Sequence, residues 1–289
     1  MEKRTAMLVV ALMVVSMCSS VVVALPPMGP PKAMVGQDQW TVGVGFSHGE
    51  VDLDTRGTGR EDEGFGFFAP VSDKHEIENL TTNIILGSLG FGISDSWDVF
   101  VSVGAADAED DITEELAGGA VGNRYTGFDS SYEIAYGFGS RATFWEDGDI
   151  TWGGLFQILW QNPDGSVDLG AFTDPIARTG AFTLTGDAEL DFWELQVAVG
   201  PTWEGDNFRV YGGPFLHIVD GDIDIDTAGV DAADAPWRVV SSGEVEEASR
   251  FGGYAGAQWL MSENTIANLE IQVTADAWAV GLGAVWKFE

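Results

Sequence analysis

Apolar residues in this chain recur at every second position, with glycine, alanine, serine or threonine between them. Trp40, Val42, Val44 and Phe46 alternate with Thr41, Gly43, Gly45 and Ser47. Val99, Val101 and Val103 obey the same rule, as do Ile134, Tyr136 and Phe138, and Trp152, Phe156, Ile158 and Trp160. Two further sets are Trp193, Leu195, Val197, Val199 and Ala267, Leu269, Ile271, Val273. The cleanest is the last, with Trp278, Val280, Leu282, Ala284, Trp286 and Phe288 on one face. A period of two is the strand signature, because successive side chains of an extended chain point to opposite faces. The pattern predicts an all-β chain with strands near 38–48, 80–93, 97–106, 131–145, 149–161, 188–201, 207–219, 248–261, 265–274 and 277–288.

The connections fall into two alternating kinds. Ser94-Asp95-Ser96, Glu146-Asp147-Gly148, Glu204-Gly205-Asp206 and Ser262-Glu263-Asn264 are short polar turns. The stretches 49–79, 107–130, 162–187 and 220–247 are long and acidic. All short turns then share one side of the sheet, and an even strand count brings both ends of the sheet to that side. Bacterial outer-membrane barrels have this asymmetry, with short periplasmic turns and long external loops.

The second face decides which surface meets lipid. A soluble barrel would be polar outside, but here the less apolar face is small and sparsely charged, suiting a narrow interior. The apolar face carries no charge in its central stretches, as hydrocarbon requires. Of eleven tryptophans, Trp40, Trp97, Trp145, Trp152, Trp203, Trp259 and Trp286 fall near the short-turn ends. Trp160, Trp193 and Trp278 fall near the opposite ends, and Trp237 in a long loop. Two girdles at the water–lipid boundaries produce that sorting, since indole is apolar but has one N–H to satisfy. The expectation is a closed up-and-down antiparallel transmembrane β-barrel of ten strands over 38–289, with long acidic outer loops.

Residues 1–24 read differently. Lys3 and Arg4 precede an apolar run from Ala6 to Val23, and Val22-Val23-Ala24 forms a small-residue cleavage site before Pro26-Pro27. This is the layout of a secretory signal peptide, with a retained membrane anchor or a lipoprotein at Cys18 as the alternatives. Residues 25–37 follow as a short linker. The net charge of −33 repels nucleic acid and bare anionic lipid and attracts metal cations. The expected partners are outer-membrane lipid, the barrel-assembly machinery and, at the outer loops, divalent cations, with no nucleic acid.

The segment Trp278 to Phe288 resembles the C-terminal assembly signal of bacterial outer-membrane proteins, with Trp286 and Phe288 as its aromatic end. Glu289 after Phe288 departs from that signal, which ends on the aromatic. The stretches from Leu89 to Gly104 and from Gly137 to Gly153 are similar to hairpins of small opacity-porin and OmpW-type barrels. The resemblance implies an outer-membrane barrel and no particular ligand.

Parity places Glu133, Arg141, Glu194, Arg209, Tyr211, His217, Arg250, Tyr254, Glu270 and Lys287 on the lumen face. Buried charges must be paired or hydrated, so these residues form either an ion-pair network that fills the barrel or a charge-lined channel. The bulky Phe100, Phe192 and Phe215 on the same face favour filling. Asp220, Asp222, Asp224 and Asp226 share one strand face, which reads as a solvated surface, with a calcium site as the weaker alternative. The chain has no Gly-x-Ser-x-Gly, His-Glu-x-x-His or phosphate-loop motif, and no cofactor is expected. The reading is a non-catalytic barrel with a structural or surface-binding role. The alternatives are a narrow cation-preferring channel for small solutes and an outer-membrane hydrolase using His217 with Asp220.

Overall fold

The computed structural model describes residues 25–62, 68–110, 112–116, 120–172, 182–230, 236–247 and 250–288; the expected signal peptide lies outside them. They form β1 (Trp40–Asp62), β2 (Phe68–Ser94), β3 (Trp97–Asp110), β4 (Ile112–Leu116), β5 (Ala120–Ser130), β6 (Glu133–Asp147) and β7 (Ile150–Gln161). Next come β8 (Asp164–Phe172), β9 (Phe182–Glu204), β10 (Phe208–Val230), β11 (Pro236–Glu247), β12 (Phe251–Leu260), β13 (Thr265–Val273) and β14 (Ala277–Phe288).

Ten strands form a ring in the order β1, β14, β13, β12, β10, β9, β7, β6, β3, β2, which the β1–β2 ladder closes in its outer part. These are the ten that the alternation predicts. Closure matters because an open edge would leave backbone N–H and C=O groups unpaired in hydrocarbon. At the β1–β2 seam the outer ladder runs from Leu53↔Ile77 to Asp62↔Phe68. At the periplasmic end Asp38 N donates to Gly92 O and Gly92 N to Gln39 O, at 3.0 and 2.9 Å. Between these points Trp40 packs on Phe91 with centroids 4.7 Å apart, and His48 Nδ1 lies 2.7 Å from Asn83 Oδ1.

The outward face is a lipid belt. Ile134 and Val103 are 67% and 64% exposed, and Val101, Tyr136, Val197, Val210 and Leu282 are also exposed. Trp160 and Trp193 are direct cross-strand partners, and Tyr136 stacks on Trp160 at 5.7 Å. Near the other boundary Trp145 pairs with Trp152, and Trp203 meets Phe208 edge-on at 5.2 Å. Two aromatic girdles bound the apolar band.

The long acidic stretches depart from the expectation of loops. A strand of about 9–11 residues crosses the hydrocarbon, yet β9 and β10 have 23 residues each and continue as paired strands well beyond it. β11 bonds to both β1 and β10 outside the membrane, while β8 joins β9 to β5 and β4 joins β2 to β5. The physical reason is visible in β10. Its alternation does not stop at the membrane boundary but changes chemistry. Asp220, Asp222, Asp224 and Asp226 are exposed, and Val219, Ile223 and Ile225 on the opposite face are buried. The inward residues join Leu53, Leu80, Phe128, Val167, Leu190 and Val245 in an apolar core, which holds the outer strands together as in a water-soluble barrel.

Candidate functional site

Residues 25–37 are the least strand-like part of the described chain, with prolines at 26, 27, 30 and 31. The stretch expected as a linker lies instead inside the barrel, where Leu25, Met28, Met34 and Val35 are buried. A proline has no N–H, so this segment carries few donors to satisfy and many carbonyls. The lumen wall supplies partners for both.

At the inner end of the segment, Ser47 Oγ donates to Leu25 O at 2.5 Å. Gln157 Nε2 and Gln272 Nε2 both donate to Pro26 O, at 3.1 and 2.9 Å. These amides link through Gln196, with Gln157 Nε2 to Gln196 Oε1 at 2.6 Å and Gln196 Nε2 to Gln272 Oε1 at 2.8 Å. Below them Glu270 receives Met28 N on one carboxylate oxygen and Gly29 N on the other, each at 2.8 Å. Tyr211 OH and Gln272 Nε2 donate to the same carboxylate at 2.9 and 2.8 Å. Arg141 Nη2 donates to Met28 O at 3.3 Å, and its guanidinium lies 4.2 Å over the Phe100 ring.

Nearer the periplasm, Met34 N donates to Asp98 Oδ2 and Ala33 N to Thr143 Oγ1, at 2.5 and 3.1 Å. Lys287 Nζ donates to Met34 O, and Lys32 Nζ pairs with Glu204. Gln37 N reaches Asp95 Oδ1 at 3.1 Å in the first periplasmic turn. The wall is also shaped for the segment. A β-carbon at Gly281 would lie 2.6 Å from Pro27, and β-carbons at Gly92 and Gly153 would strike the carbonyls of Gly36 and Pro31. Beside the segment remains a cavity of about 110 Å3, lined among others by Thr41, Ser88, Phe100, Arg141, Gln258 and Asn268. A few water molecules fill such a volume.

The lumen residues named from parity divide. Arg141, Glu194, Arg209, Tyr211, His217, Tyr254, Glu270 and Lys287 face inward, but their pairing differs from an Arg–Glu network among themselves. Arg209 Nε pairs with Glu204 at 3.2 Å, Arg141 stands 3.9 Å from Asp98, and His217 Nε2 lies 3.2 Å from Glu194 Oε2. Gln161 Nε2 also donates to Glu194. Glu133 keeps the inward parity at the rim, half-buried and laddered opposite Ala106, whereas Arg250 does not line the lumen. Glu133 accepts a bond from Ser131 at the exposed rim, and Arg250 is exposed, 4.0 Å from Glu246. Parity misplaces Arg250 because it precedes β12, where the ladder no longer fixes side-chain direction.

His217 is buried inside while Asp220 is exposed outside, so the two do not form a catalytic pair. Asp220, Asp222, Asp224 and Asp226 all face solvent, and Asp226 accepts from Arg238 Nε at 2.8 Å. Among the described residues no group of three potential ligands is arranged to hold a metal ion. Trp286 and Phe288 are on the lipid face, with Phe288 opposite Trp40. Asp98, Glu204, Lys32 and the filling segment escaped sequence reading. A proline cluster directly before the first strand was the available signal.

No family model matches this chain, and no curated protein matches it. Solved structures do share its architecture. The outer membrane protease OmpT of Escherichia coli is 8% identical, with 91% of this chain and 98% of that one covered and a TM-score of 0.43. The outer membrane protein OprG of Pseudomonas aeruginosa is 10% identical, with 88% and 97% covered and a TM-score of 0.39. The attachment invasion locus protein Ail of Yersinia pestis is 12% identical, with 87% and 99% covered and a TM-score of 0.27. Their described roles differ. The ring, the uncharged lipid belt and its two aromatic girdles give this chain the architecture of a transmembrane β-barrel.

Proposed function

We propose that this protein is a sealed, non-catalytic outer-membrane barrel whose role is structural or surface-binding, exercised through the folded acidic sheet outside the membrane. The observation that carries this reading is the bonding of the 25–37 backbone to wall side chains at every level from Ser47 down to Asp95. A segment held by one contact would swing aside. One held by ten such bonds is part of the wall and fills the space a solute would cross. The outer sheet presents opposed acids, with Asp222 between Asp191 and Glu244 across the ladder, and so favours cationic partners over nucleic acid. Assembly through the Trp286–Phe288 end belongs to the same reading.

The test is conductance in planar bilayers. Wild-type protein is expected to give no steady channel, whereas deletion of residues 25–36 opens one in a barrel that still folds. Gly281→Leu acts more narrowly, because its side chain competes with Pro27 and disturbs no backbone of the wall. A wild-type conductance equal to that of the deletion would reject the sealed reading in favour of a narrow channel.

A further inference from the structure

We propose that the cavity beside residues 25–37 is a binding site for a short monocarboxylate. The ligand's carboxylate pairs with the Arg141 guanidinium, and its carbon chain lies against the apolar part of the same lining.

The lining supplies the charge. Among the described residues Arg141 is the only charged one that borders this cavity, in a chain with 46 acids and 13 bases. A guanidinium carries five N–H donors in a planar fork that matches a carboxylate. Arg141 spends one of them on Met28 O at 3.3 Å, and its Nε has no hydrogen-bond partner among the described residues. Asp98 Oδ1 stands 3.9 Å from Nη1, beyond hydrogen-bond distance, so the wall carboxylate leaves most of the fork unused.

Strand register supplies the polar rim. Ser88 faces Ser102 across β2 and β3, and Gln258 faces Asn268 across β12 and β13. All four border the cavity, together with Thr41. Gln258 is 2% exposed and its Oε1 has no partner, while its Nε2 makes a weak 4.0 Å contact with Met34 Sδ. A buried amide in that state gains from a ligand that accepts a hydrogen bond, because it can turn Nε2 toward it. Hydroxyls, amides and one guanidinium, with no carboxylate among them, suit an anion and disfavour a metal cation.

The remaining lining decides between anions. Phe100 lies under the guanidinium, its ring centroid 4.2 Å from the Arg141 Cζ, and Leu86, Met28 and Pro27 also border the cavity. A halide or phosphate would leave these surfaces against water, whereas a short carbon chain covers them. The volume of about 110 Å3 holds several water-sized groups, enough for a carboxylate on about one or two further carbons.

Approach favours the same class of ligand. Near the periplasm Lys32 and Arg209 share one carboxylate, Glu204, and Lys287 bonds a carbonyl, Met34 O. That excess of cations draws anions in from the periplasmic side, whereas the acidic outer sheet repels them. Because Arg141 also holds Met28 O, an occupied site fastens the filling segment to the wall. The ligand then stabilises the folded barrel by mass action.

The inference goes beyond the sealed-lumen reading, and the two fail separately. The test is calorimetric titration of the folded barrel in detergent with sodium acetate and sodium propionate, at an ionic strength held constant with sodium chloride. One ligand per barrel is expected, with a rise in unfolding temperature. Acetamide, which has the shape without the charge, is expected not to bind. Arg141→Gln should weaken binding at least tenfold. Should that variant fail to fold, Ser102→Leu puts a larger apolar side chain into the cavity and should weaken binding by at least the same factor. No saturable binding above the chloride background, equal binding of acetamide, or unchanged affinity in the variants overturns the proposal. A wild type that conducts in bilayers but binds acetate loses the seal and keeps the site. One that is silent and does not bind keeps the seal and loses the site.

Discussion

Strands β9 and β10 pass through two environments and are dressed in opposite ways in each. Across the membrane their outward residues are Trp203, Val199, Val197, Leu195 and Trp193, and their inward ones include Glu194, Gln196, Arg209 and His217. Beyond Trp193 the outward residues become Asp191, Glu189 and Asp187, and the inward ones Phe192, Leu190 and Ala188. The hydrogen-bonded ladder runs through the change without interruption, from Arg209↔Glu204 to Val230↔Thr183 apart from a gap near Gly212. Strand pairing is thus indifferent to which face is wet. The lower half excludes water from outside and fills its polar interior with residues 25–37, whereas the upper half excludes water from inside with side chains of its own.

The sharpest way to break this comparison is to exchange the dressings. Ile223→Asp puts a carboxylate into the upper core and is expected to cost at least about 3 kcal/mol. The outer strands should then become protease-sensitive while the membrane portion keeps its heat-dependent gel mobility. Val197→Arg makes the mirror change on the lipid face, and an expected cost of about 2–4 kcal/mol should appear as lower urea resistance of the whole barrel. Equal effects of both changes on the outer strands alone would sink the two-region account.

An effect of similar size but narrower reach sharpens the lower half. Glu270→Ala strands Met28 N and Gly29 N in the lumen, and each orphaned donor costs about 1–3 kcal/mol. The loss should fall on the filling segment, seen as faster hydrogen exchange at Met28 and Gly29 with the strand amides of β13 unchanged. Uniform loss of protection across the ring would mean that Glu270 supports the wall rather than the segment.

The smallest effects lie on the outer acidic face. Asp222 is flanked by Asp191 and Glu244, so Asp222→Asn is expected to stabilise the outer sheet by about 0.2–1 kcal/mol, more at low salt. The hydrogen bond from Arg238 holds the Asp226 carboxyl below its ordinary range. Its folded value is depressed, so its contribution is present above the ordinary value of about 3.9 and is lost as the pH falls through the folded one. The pair is exposed, which limits that contribution to less than about 1 kcal/mol. Arg238→Ala should therefore lower outer-sheet stability at neutral pH by less than about 1 kcal/mol, leave it unchanged once Asp226 is protonated, and so flatten the acid limb.

Much of this was legible in the chain. The alternation of Trp278 to Phe288 identified β14 and its lipid face, because hydrocarbon tolerates no charge at any exposed position. The alternation of Asp220 to Asp226 was also read, as a solvated strand face. Val219, Ile223 and Ile225 alternate with it, and their burial in a core of their own, which no local pattern records, is why β10 continues as sheet to Val230. The site was less legible. Arg141 and Glu270 were placed inward by parity, yet their partners are Asp98 and the backbone of Met28 and Gly29.

The sequence by itself determined the period, the ring of ten and the surface that meets lipid, since each follows from neighbours two residues apart answering to one solvent. Only the tertiary structure decided what fills the ring. Met28 and Glu270 are separated by 242 positions, and no local pattern records which carboxylate will meet which N–H. That choice is made when the ring closes around the segment and each buried polar group must take the partner within reach.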